Sequence, residues 1–246
     1  MGTATLLQNI NAVVDELGLP SVTSVIGSRD TQVRQLLAFA NREGAVTSTF
    51  SFGAKMGWQA MVKTATITLV DGQADYNLPT DVVTPVTMTF WDVNYRWQLL
   101  GPLSPQEWDV LVYGISPAGP RRRFRIKNNQ MSINPTPGSA DAGNTLVFEY
   151  YSNAWCQSAA GVGQTKFAAD TDTYVLDDDS LVLGIKWRFL RAKGLDYTEE
   201  KALWADMLLR AMARDGADRY LPTNAQARQD TQLLSENNVP DTGFGQ

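Results

Sequence analysis

The sequence predicts an α+β fold: a helical bundle formed by the N- and C-terminal parts, an inserted small antiparallel β-sandwich or barrel domain, and an extended C-terminal tail. Apolar residues recur at helical spacing before residue 60 and after residue 177, and they alternate with polar residues between 61 and 151. The chain turns polar after residue 221. We therefore divide it into 1–60 and 156–221 for the bundle, 61–155 for the β domain and 222–246 for the tail.

Two helices are predicted near the N-terminus. The first begins at Thr3 and stops at Gly18, and its apolar residues follow the i, i+3, i+4, i+7 spacing of one helix face. The second begins after Ser28 or Asp30, either of which could cap it, and its apolar residues stop before Gly44. Residues 46–58 stay open between a strand, favoured by their Thr, Ser and Phe content, and a third helix, favoured by their position.

Short strands are predicted from residue 61 onward. Thr64, Thr66 and Thr68 alternate with apolar residues up to the turn Asp71-Gly72, so residues 64–69 and 76–78 are predicted to form a hairpin. A second hairpin is predicted around Asn128-Asn129. The remaining predicted strands span 83–91, 97–100 and 144–151. One helix interrupts them over residues 104–113, with Pro105 in the first turn.

Helical spacing returns at Asp177. One predicted helix ends near Gly194 and a second ends before Gly216. The polar tail that follows has too few apolar residues for a core of its own, so we expect it to be ordered only by a partner. Its candidate anchors for that partner are apolar: Leu233, Leu234, Val239 and Phe244.

The chain has no histidine and a single cysteine, Cys156. Histidine is the usual general base near neutral pH and the commonest metal ligand, so Ser-His-Asp, Cys-His and zinc-His sites are excluded. We predict a protein that is not an enzyme and needs no cofactor, with Cys156 as a small buried or loop residue. A carboxylate-only enzyme acting on carbohydrate or nucleic acid stays as an alternative; it would need two facing carboxyl groups in an aromatic-lined cleft.

The charges indicate a chain that does not hold DNA tightly. The sequence has 21 Lys and Arg against 26 Asp and Glu, a net charge of −5, and no strongly basic segment. The one basic run, Arg121, Arg122 and Arg123, is predicted to lie in a loop that contacts DNA phosphates, an acidic patch on a neighbouring subunit, or only water. The last two interpretations are favoured over DNA contact, because one short run supplies few phosphate contacts. No apolar stretch approaches the roughly 20 residues of a membrane helix, and no export signal is seen, so we expect synthesis in the cytoplasm and no membrane contact.

Three further segments admit a functional and a structural interpretation. Five aspartates between residues 170 and 179 could bind calcium, but those at 177–179 stand where a helix begins, which carboxylates favour. The glycine-rich residues 161–164 lack the Lys-Ser/Thr of a phosphate-binding loop and are interpreted as a flexible connector. Tyr150, Tyr151 and Trp155 could stack on bases, but core packing is the favoured interpretation.

Several of these segments resemble the head-to-tail adaptor proteins of tailed bacteriophages of the tail tubular protein A type. Residues 71–81, DGQADYNLPTD, are similar to the family's DGxxxYxLPxDF element, with Val82 in place of the usual Phe. The segments INPTP at 133–137, LVFEYYS at 146–152 and LGIKWRFLRAKGLDY at 183–197 resemble later elements of the family, in the same order.

The resemblance implies one subunit of a dodecameric ring in the neck of the virion, beneath the portal protein. In that family the helical part faces the portal, the tail embraces it, and the β part helps to receive the tail nozzle. Double-stranded DNA would pass through the channel without specific binding. The alternative from another class is a tail-completion or tail-fibre component with the same kind of β module.

Overall fold

The computed structural model describes residues 2–49, 57–114 and 121–216, and within them it has five helices and eleven short strands that form antiparallel sheets. The fold is therefore mixed α+β, as predicted. The helices are α1 (Leu6–Glu16), α2 (Thr31–Ser48), α3 (Pro105–Tyr113), α4 (Asp178–Lys193) and α5 (Thr198–Arg214). The strands are β1 (Val62–Thr68), β2 (Asp75–Asn77), β3 (Val82–Pro85), β4 (Trp91–Asp92), β5 (Trp97–Gln98), β6 (Arg123–Lys127), β7 (Gln130–Asn134), β8 (Thr145–Ser152), β9 (Cys156–Gln157), β10 (Gly163–Gln164) and β11 (Thr173–Tyr174).

The ends of α1 and α2 follow from local sequence. Thr5 and Gln8 form a capping box at the start of α1, and Gly18, with φ of +66°, follows its end. Asp30 accepts a hydrogen bond from the backbone N–H of Gln32 at 2.7 Å. Of the two predicted caps for the second helix, Asp30 is therefore the one used.

Helix α2 does not stop before Gly44, as the sequence had indicated, but continues to Ser48. Residue 44 lies inside the helix and is a glycine because the indole of Trp155 packs against it. A Cβ atom at residue 44 would lie 2.3 Å from that ring. This glycine serves close packing rather than helix termination. The ambiguous segment 46–58 thus begins as helix, and its residues 50–56 lie outside the described part of the chain.

The other three helices also begin and end near the predicted residues. Ser104 and Glu107 form a capping box at α3, with Pro105 as its first residue. Asp177 is the N-cap residue of α4, although its side chain makes no capping hydrogen bond, and Gly194 ends the helix with φ of +72°.

The first predicted hairpin is wrong. Strand β1 pairs along its whole length with β8, whereas β2 pairs with β7 in a different sheet. The connection between β1 and β2 crosses from one sheet to the other, and its hydrogen bonds go to two separate segments. The N–H of Leu69 donates to the carbonyl of Asn144 at 2.8 Å, and the N–H of Gly72 donates to the carbonyl of Pro137 at 2.9 Å. A turn signal and the alternation of polar and apolar residues predict where strands lie, but they do not predict which strands pair.

The second predicted hairpin, β6–β7, is confirmed. Its turn residues Asn128 and Asn129 have φ of +52° and +56°, the left-handed pair that a two-residue turn between twisted strands requires. Together with β2 these strands form one sheet, in the order β2-β7-β6. The larger sheet has the order β1-β8-β4-β5, with β3 also paired to β8.

Two apolar clusters lie in the described part of the chain. The first joins α1, α2, α4 and α5, so helices from both ends of the sequence share one core. The second lies between the two larger sheets, where Phe90 contacts Phe124 of one sheet and Phe148 of the other, with ring centroids 4.2 and 4.7 Å apart. Residues 1–216 form one compact unit. The four-part division proposed from sequence stays a prediction.

A small third sheet, in the order β10-β9-β11, was not predicted. Residues 161–164 are part of it: Gly163 and Gln164 pair with β9, so this segment is not the flexible connector that the sequence suggested. Cys156 in β9 is fully buried, as expected, and burial together with the nearby Asp172 carboxylate raises the pKa of its thiol to about 12.

The helical part is centred on one buried carboxylate, that of Glu43 in α2, which is 0% exposed. It accepts two hydrogen bonds at 2.7 Å from Arg188 of α4 and one at 2.6 Å from the Trp204 indole of α5. Thr47 donates a fourth at 3.0 Å. Gly184 of α4 lets the helices approach, since a Cβ there would lie 2.3 Å from the Glu43 side chain. A buried charge is tolerated when it is paired and hydrogen-bonded in this way.

We expect Glu43→Gln to lower the free energy of unfolding by about 3 kcal/mol, because it leaves the guanidinium of Arg188 buried without its counter-charge. Urea denaturation followed by circular dichroism measures this. Asp206→Asn is the matched control, since Asp206 and Arg210 form an exposed pair within α5 that contributes about 0.5 kcal/mol or less. Equal effects of the two substitutions would contradict this account of Glu43.

We expect Gly44→Ala to destabilise the protein by about 1–3 kcal/mol through the clash with Trp155. Helix propensity alone would favour alanine there by up to about 1 kcal/mol, so the sign of the change is informative. Gly138→Ala is the control, because Gly138 has φ of −97° and a Cβ atom added there would meet nothing within 4 Å. Thermal unfolding of both variants tests this, and a stabilised Gly44→Ala protein would refute it.

Candidate assembly surface

The β4–β5 hairpin presents aromatic side chains to solvent. Trp91 is 45% exposed, and Tyr95 and Trp97 are each 41% exposed. Tyr95 and Trp97 stack with their ring centroids 5.3 Å apart. Trp91 lies on the other face of the strand pair, because it is opposite Gln98 whereas Trp97 is opposite Asp92. Exposed aromatic residues are enriched in protein–protein interfaces, so we name Tyr95 and Trp97 the hairpin surface and treat it as a candidate contact.

Arg122 holds the hairpin surface in place. Its guanidinium pairs with Asp92 at 2.5 Å and with Asp141 at 2.6 Å, and it lies 5.8 Å from the Tyr95 ring centroid. Asp92 is 2% exposed and also accepts the backbone N–H groups of Asn94 and Tyr95, each at 3.1 Å. The turn and the rings that follow it are therefore fixed by one buried ionic group rather than by the two-residue strands themselves.

The same ion pair changes the acidity of Asp141. The hydrogen bond from Arg122 holds the pKa of this carboxyl below its ordinary value of 3.8, and the backbone N–H of Gly138 acts in the same direction. The carboxylate therefore stays charged to lower pH in the folded chain than in the unfolded chain. The contribution of Asp141 to the free energy of unfolding is fully present above its ordinary pKa, and it is lost as the pH falls through the lower pKa of the folded chain.

The three predicted basic site residues have different surroundings. Arg121 is exposed, whereas the Arg122 guanidinium is occupied by the ion pairs just described. Arg123 is half-buried as the first residue of β6, opposite Asn134. Their role in subunit or channel contact stays a prediction, and the geometry leaves Arg121 with the best access to a partner.

The predicted tail anchors Leu233, Leu234, Val239 and Phe244 lie outside the described residues.

A second candidate contact lies on α3. Trp108 and Leu111 of this helix are buried, while Val110, Val112 and Tyr113 are 62%, 42% and 83% exposed. Three large, exposed apolar residues thus lie within four positions of this helix. We name Val110, Val112 and Tyr113 the α3 surface.

The aspartate-rich segment binds backbone groups of its own chain. Asp178, in the first turn of α4, accepts the N–H of Thr3 at 2.8 Å and the amide of Asn9 at 3.0 Å. Asp170 and Asp172 likewise accept N–H groups from nearby loops. The described residues contain no cluster of acidic side chains suited to a metal ion. These carboxylates fasten the N-terminus and the loops to the helical core.

The aromatic residues at the end of β8 are chiefly core residues. Tyr150 is 4% exposed and Trp155 is 2% exposed, which confirms packing over base stacking for both. Tyr150 donates its hydroxyl to Asp81 at 2.9 Å, and burial together with this carboxylate raises the pKa of Tyr150 to about 12. Exposed aromatic residues lie instead at Tyr113 of α3 and in the β4–β5 hairpin, and sequence reasoning did not select the hairpin. The close spacing of the hairpin's aromatic residues around Asn94 was the available signal.

We expect Arg122→Gln to lower the free energy of unfolding by about 3 kcal/mol near neutral pH, because Asp92 loses its buried partner. The difference from the unchanged protein should shrink as the pH falls from 3.8, the ordinary pKa, through the lowered pKa of folded Asp141, because protonation of this carboxylate removes its ion pair with Arg122. Urea denaturation at several pH values measures both effects. Arg121→Gln is the control and should stay within about 0.5 kcal/mol at every pH. A pH-independent effect of Arg122→Gln would contradict the ion-pair account.

Comparison with known proteins identifies the family. The model of the SU10 adaptor protein family matches residues 4–230, which include both apolar clusters and the start of the tail. No curated protein matches the chain. None of the helices in the described ranges is long and apolar enough to cross a membrane. The family is structural rather than enzymatic. The family match agrees with the resemblance to phage adaptor proteins that the sequence motifs indicated. The chain thus belongs to the SU10 adaptor proteins and is a structural adaptor of a bacteriophage.

Proposed function

We propose that the protein is a head-to-tail adaptor that joins the portal to the tail nozzle as one subunit of a dodecameric ring, in the neck of the virion. The observation that carries the proposal is the family match, which extends through the helical part, the β part and the first residues of the tail. The protein would act by assembly, without a cofactor and without catalysis.

The architecture supports different partners for the two parts of each subunit in the ring. We interpret the four helices that share the first apolar cluster as a bundle, and the two larger sheets around the second cluster as a sandwich. The bundle would face the portal and the sandwich would face the nozzle. A rigid subunit suits this role, because subunits of a ring must hold their angle to one another if the ring is to close.

The exposed residues of the β part supply surfaces for such contacts. The hairpin surface is aromatic and is held by a buried ion pair, and the α3 surface carries three exposed apolar side chains. Preorganised aromatic residues give contact area with little loss of conformational freedom. We assign these two surfaces to contacts with neighbouring subunits and with the nozzle.

The charge of the chain supports passage of DNA rather than its retention. With a net charge of −5 and no strongly basic segment, the protein offers few contacts for phosphate groups. A ring of such subunits would present a channel along which double-stranded DNA can slide during packaging and ejection. Within the basic run, Arg121 is the candidate for a contact with a neighbouring subunit or with the channel.

The tail, residues 222–246, is proposed to bind the portal. It is polar, and its apolar residues Leu233, Leu234, Val239 and Phe244 are the proposed anchors. A polar segment with a few apolar anchors can order on a partner and cover a broad surface.

We expect the purified protein to be monomeric in solution and to form a twelve-fold collar when it is mixed with the portal ring. Light scattering and negative-stain imaging measure this. Deleting residues 222–246 should leave the circular dichroism spectrum and melting temperature unchanged and should abolish portal binding. A chain carrying Leu233→Ser, Leu234→Ser, Val239→Ser and Phe244→Ser tests the anchors without changing the length of the tail.

A stable trimer or hexamer that does not bind the portal would contradict the proposed adaptor ring and would favour a tail-completion or fibre component. Unchanged portal binding after the deletion would overturn the role of the tail alone.

A further inference from the structure

The connection from the helical part to the β part is hydrogen-bonded to the end of α5. Residues Gln59–Met61 form a short 3₁₀ turn that leads directly into β1. The carboxylate of Asp215, the residue that follows α5, accepts the backbone N–H of Gln59 at 2.5 Å and that of Ala60 at 3.0 Å. The bonded residues are 156 and 155 positions apart in the sequence.

The 3₁₀ turn depends on Asp215 because the residue that precedes it does not cap it. The first N–H groups of a helical turn have no partner within the turn, and a capping side chain usually satisfies them. Trp58, the N-cap residue, makes no such bond, since its indole has only an N–H to donate. That N–H donates to the carbonyl of Thr47 in the last turn of α2, at 2.7 Å. A carboxylate from the end of α5 therefore caps the turn, through charge-assisted hydrogen bonds.

The position of the Asp215 carboxylate is set by α5. Ala211 and Met212, near the end of this helix, are 6% and 3% exposed and belong to the first apolar cluster. The N–H of Asp215 donates to the carbonyl of Ala211 at 3.0 Å, which continues the hydrogen bonding of the helix to this residue. The two hydrogen bonds of the carboxylate thus connect a helix end of fixed position to the chain that enters β1.

These bonds give the helix end and the turn a shared opening equilibrium. The last turn of a helix opens locally at a lower free energy than the whole fold unfolds. When the last turn of α5 opens, Asp215 moves away and the N–H groups of Gln59 and Ala60 lose their acceptor. Conversely, any interaction that orders the chain at Gly216 and beyond opposes this opening and keeps the turn capped. Two segments that are distant in sequence are coupled in this way through local order.

We propose that Asp215 couples the end of α5, where the tail begins, to the connection between the helical part and β1. Order at the helix end holds the Gln59–Met61 turn, and opening of the helix end releases it. The consequence for the virion rests on the proposed function: binding of the tail to the portal would stiffen the base of the β part, which receives the nozzle. The coupling itself is a property of the single chain and needs neither the portal nor the ring.

The test is amide hydrogen exchange of the full-length, ¹⁵N-labelled protein, followed by nuclear magnetic resonance at Gln59 and Ala60. Asp215→Asn should speed exchange of these amides roughly ten- to a hundredfold, the equivalent of one lost hydrogen bond to a charged group. Ala213→Gly, at an exposed position in the last turn of α5, should speed it about two- to fivefold, because glycine weakens that turn. In the Asp215→Asn background, Ala213→Gly should have no further effect, since the coupling has already been removed.

Ala202→Gly is the matched control, because Ala202 is an exposed alanine near the start of the same helix and should leave exchange at the two amides unchanged. The proposal is overturned if Ala213→Gly has no effect on these amides, or acts equally with and without the Asp215 carboxylate. An equal effect of Ala202→Gly would also overturn it, because the whole helix would then be opening. If Asp215→Asn does not fold, the comparison of the two glycine variants still decides. The portal is absent from these measurements, so a failure of the coupling is distinguishable from a failure of the adaptor ring.

Discussion

The carboxylate of Glu43 determines how the helical part of this protein is arranged. A charge that is completely removed from water must be paired and hydrogen-bonded, or the fold loses several kcal/mol of stability. Glu43 meets that requirement only when α4 supplies Arg188 and α5 supplies Trp204. Gly184 has to be small for α4 to come close enough. The requirement to satisfy one carboxylate thus fixes the positions of three helices from opposite ends of the chain.

Other buried or half-buried carboxylates act in the same way on shorter segments. Asp178 fastens the N-terminal residues to the start of α4, and Asp81 joins β1 to β8 through Lys63 and Tyr150. Asp92 orders the β4–β5 turn and holds Arg122. An acidic chain would be expected to repel itself, yet each of these carboxylates faces donors. These carboxylates therefore have structural roles within the fold.

The division between buried and exposed aromatic residues bears on assembly. Phe90, Phe124 and Phe148 fill the space between the two larger sheets, and Trp155 packs against Gly44 of α2. The aromatics of the hairpin surface remain exposed, although they are ordered by Arg122. A subunit of the proposed ring would benefit from this combination, since a rigid core would hold the angle between neighbours while ordered surface rings would provide contact area.

The sequence by itself determined the α+β class, the succession of helices, strands and helices along the chain, and most of the helix ends. These features are local: capping by Thr5, Asp30 and Ser104 and the left-handed Gly194 act within one turn of the chain. The β6–β7 hairpin was predictable for the same reason, because its two-residue turn fixes the pairing. The family resemblance likewise rested on short motifs in a fixed order.

Only the tertiary structure decided which distant residues meet. The sequence could not indicate that β1 pairs with β8, since alternation specifies a strand but not its partner. It offered no reason to extend α2 past Gly44, because the Trp155 ring that requires a glycine lies more than a hundred residues away. Arg122 looked like its neighbours in a basic run until Asp92 and Asp141 were brought to it. Long-range pairing and burial depend on the whole chain, whereas capping and turns depend on a few adjacent residues.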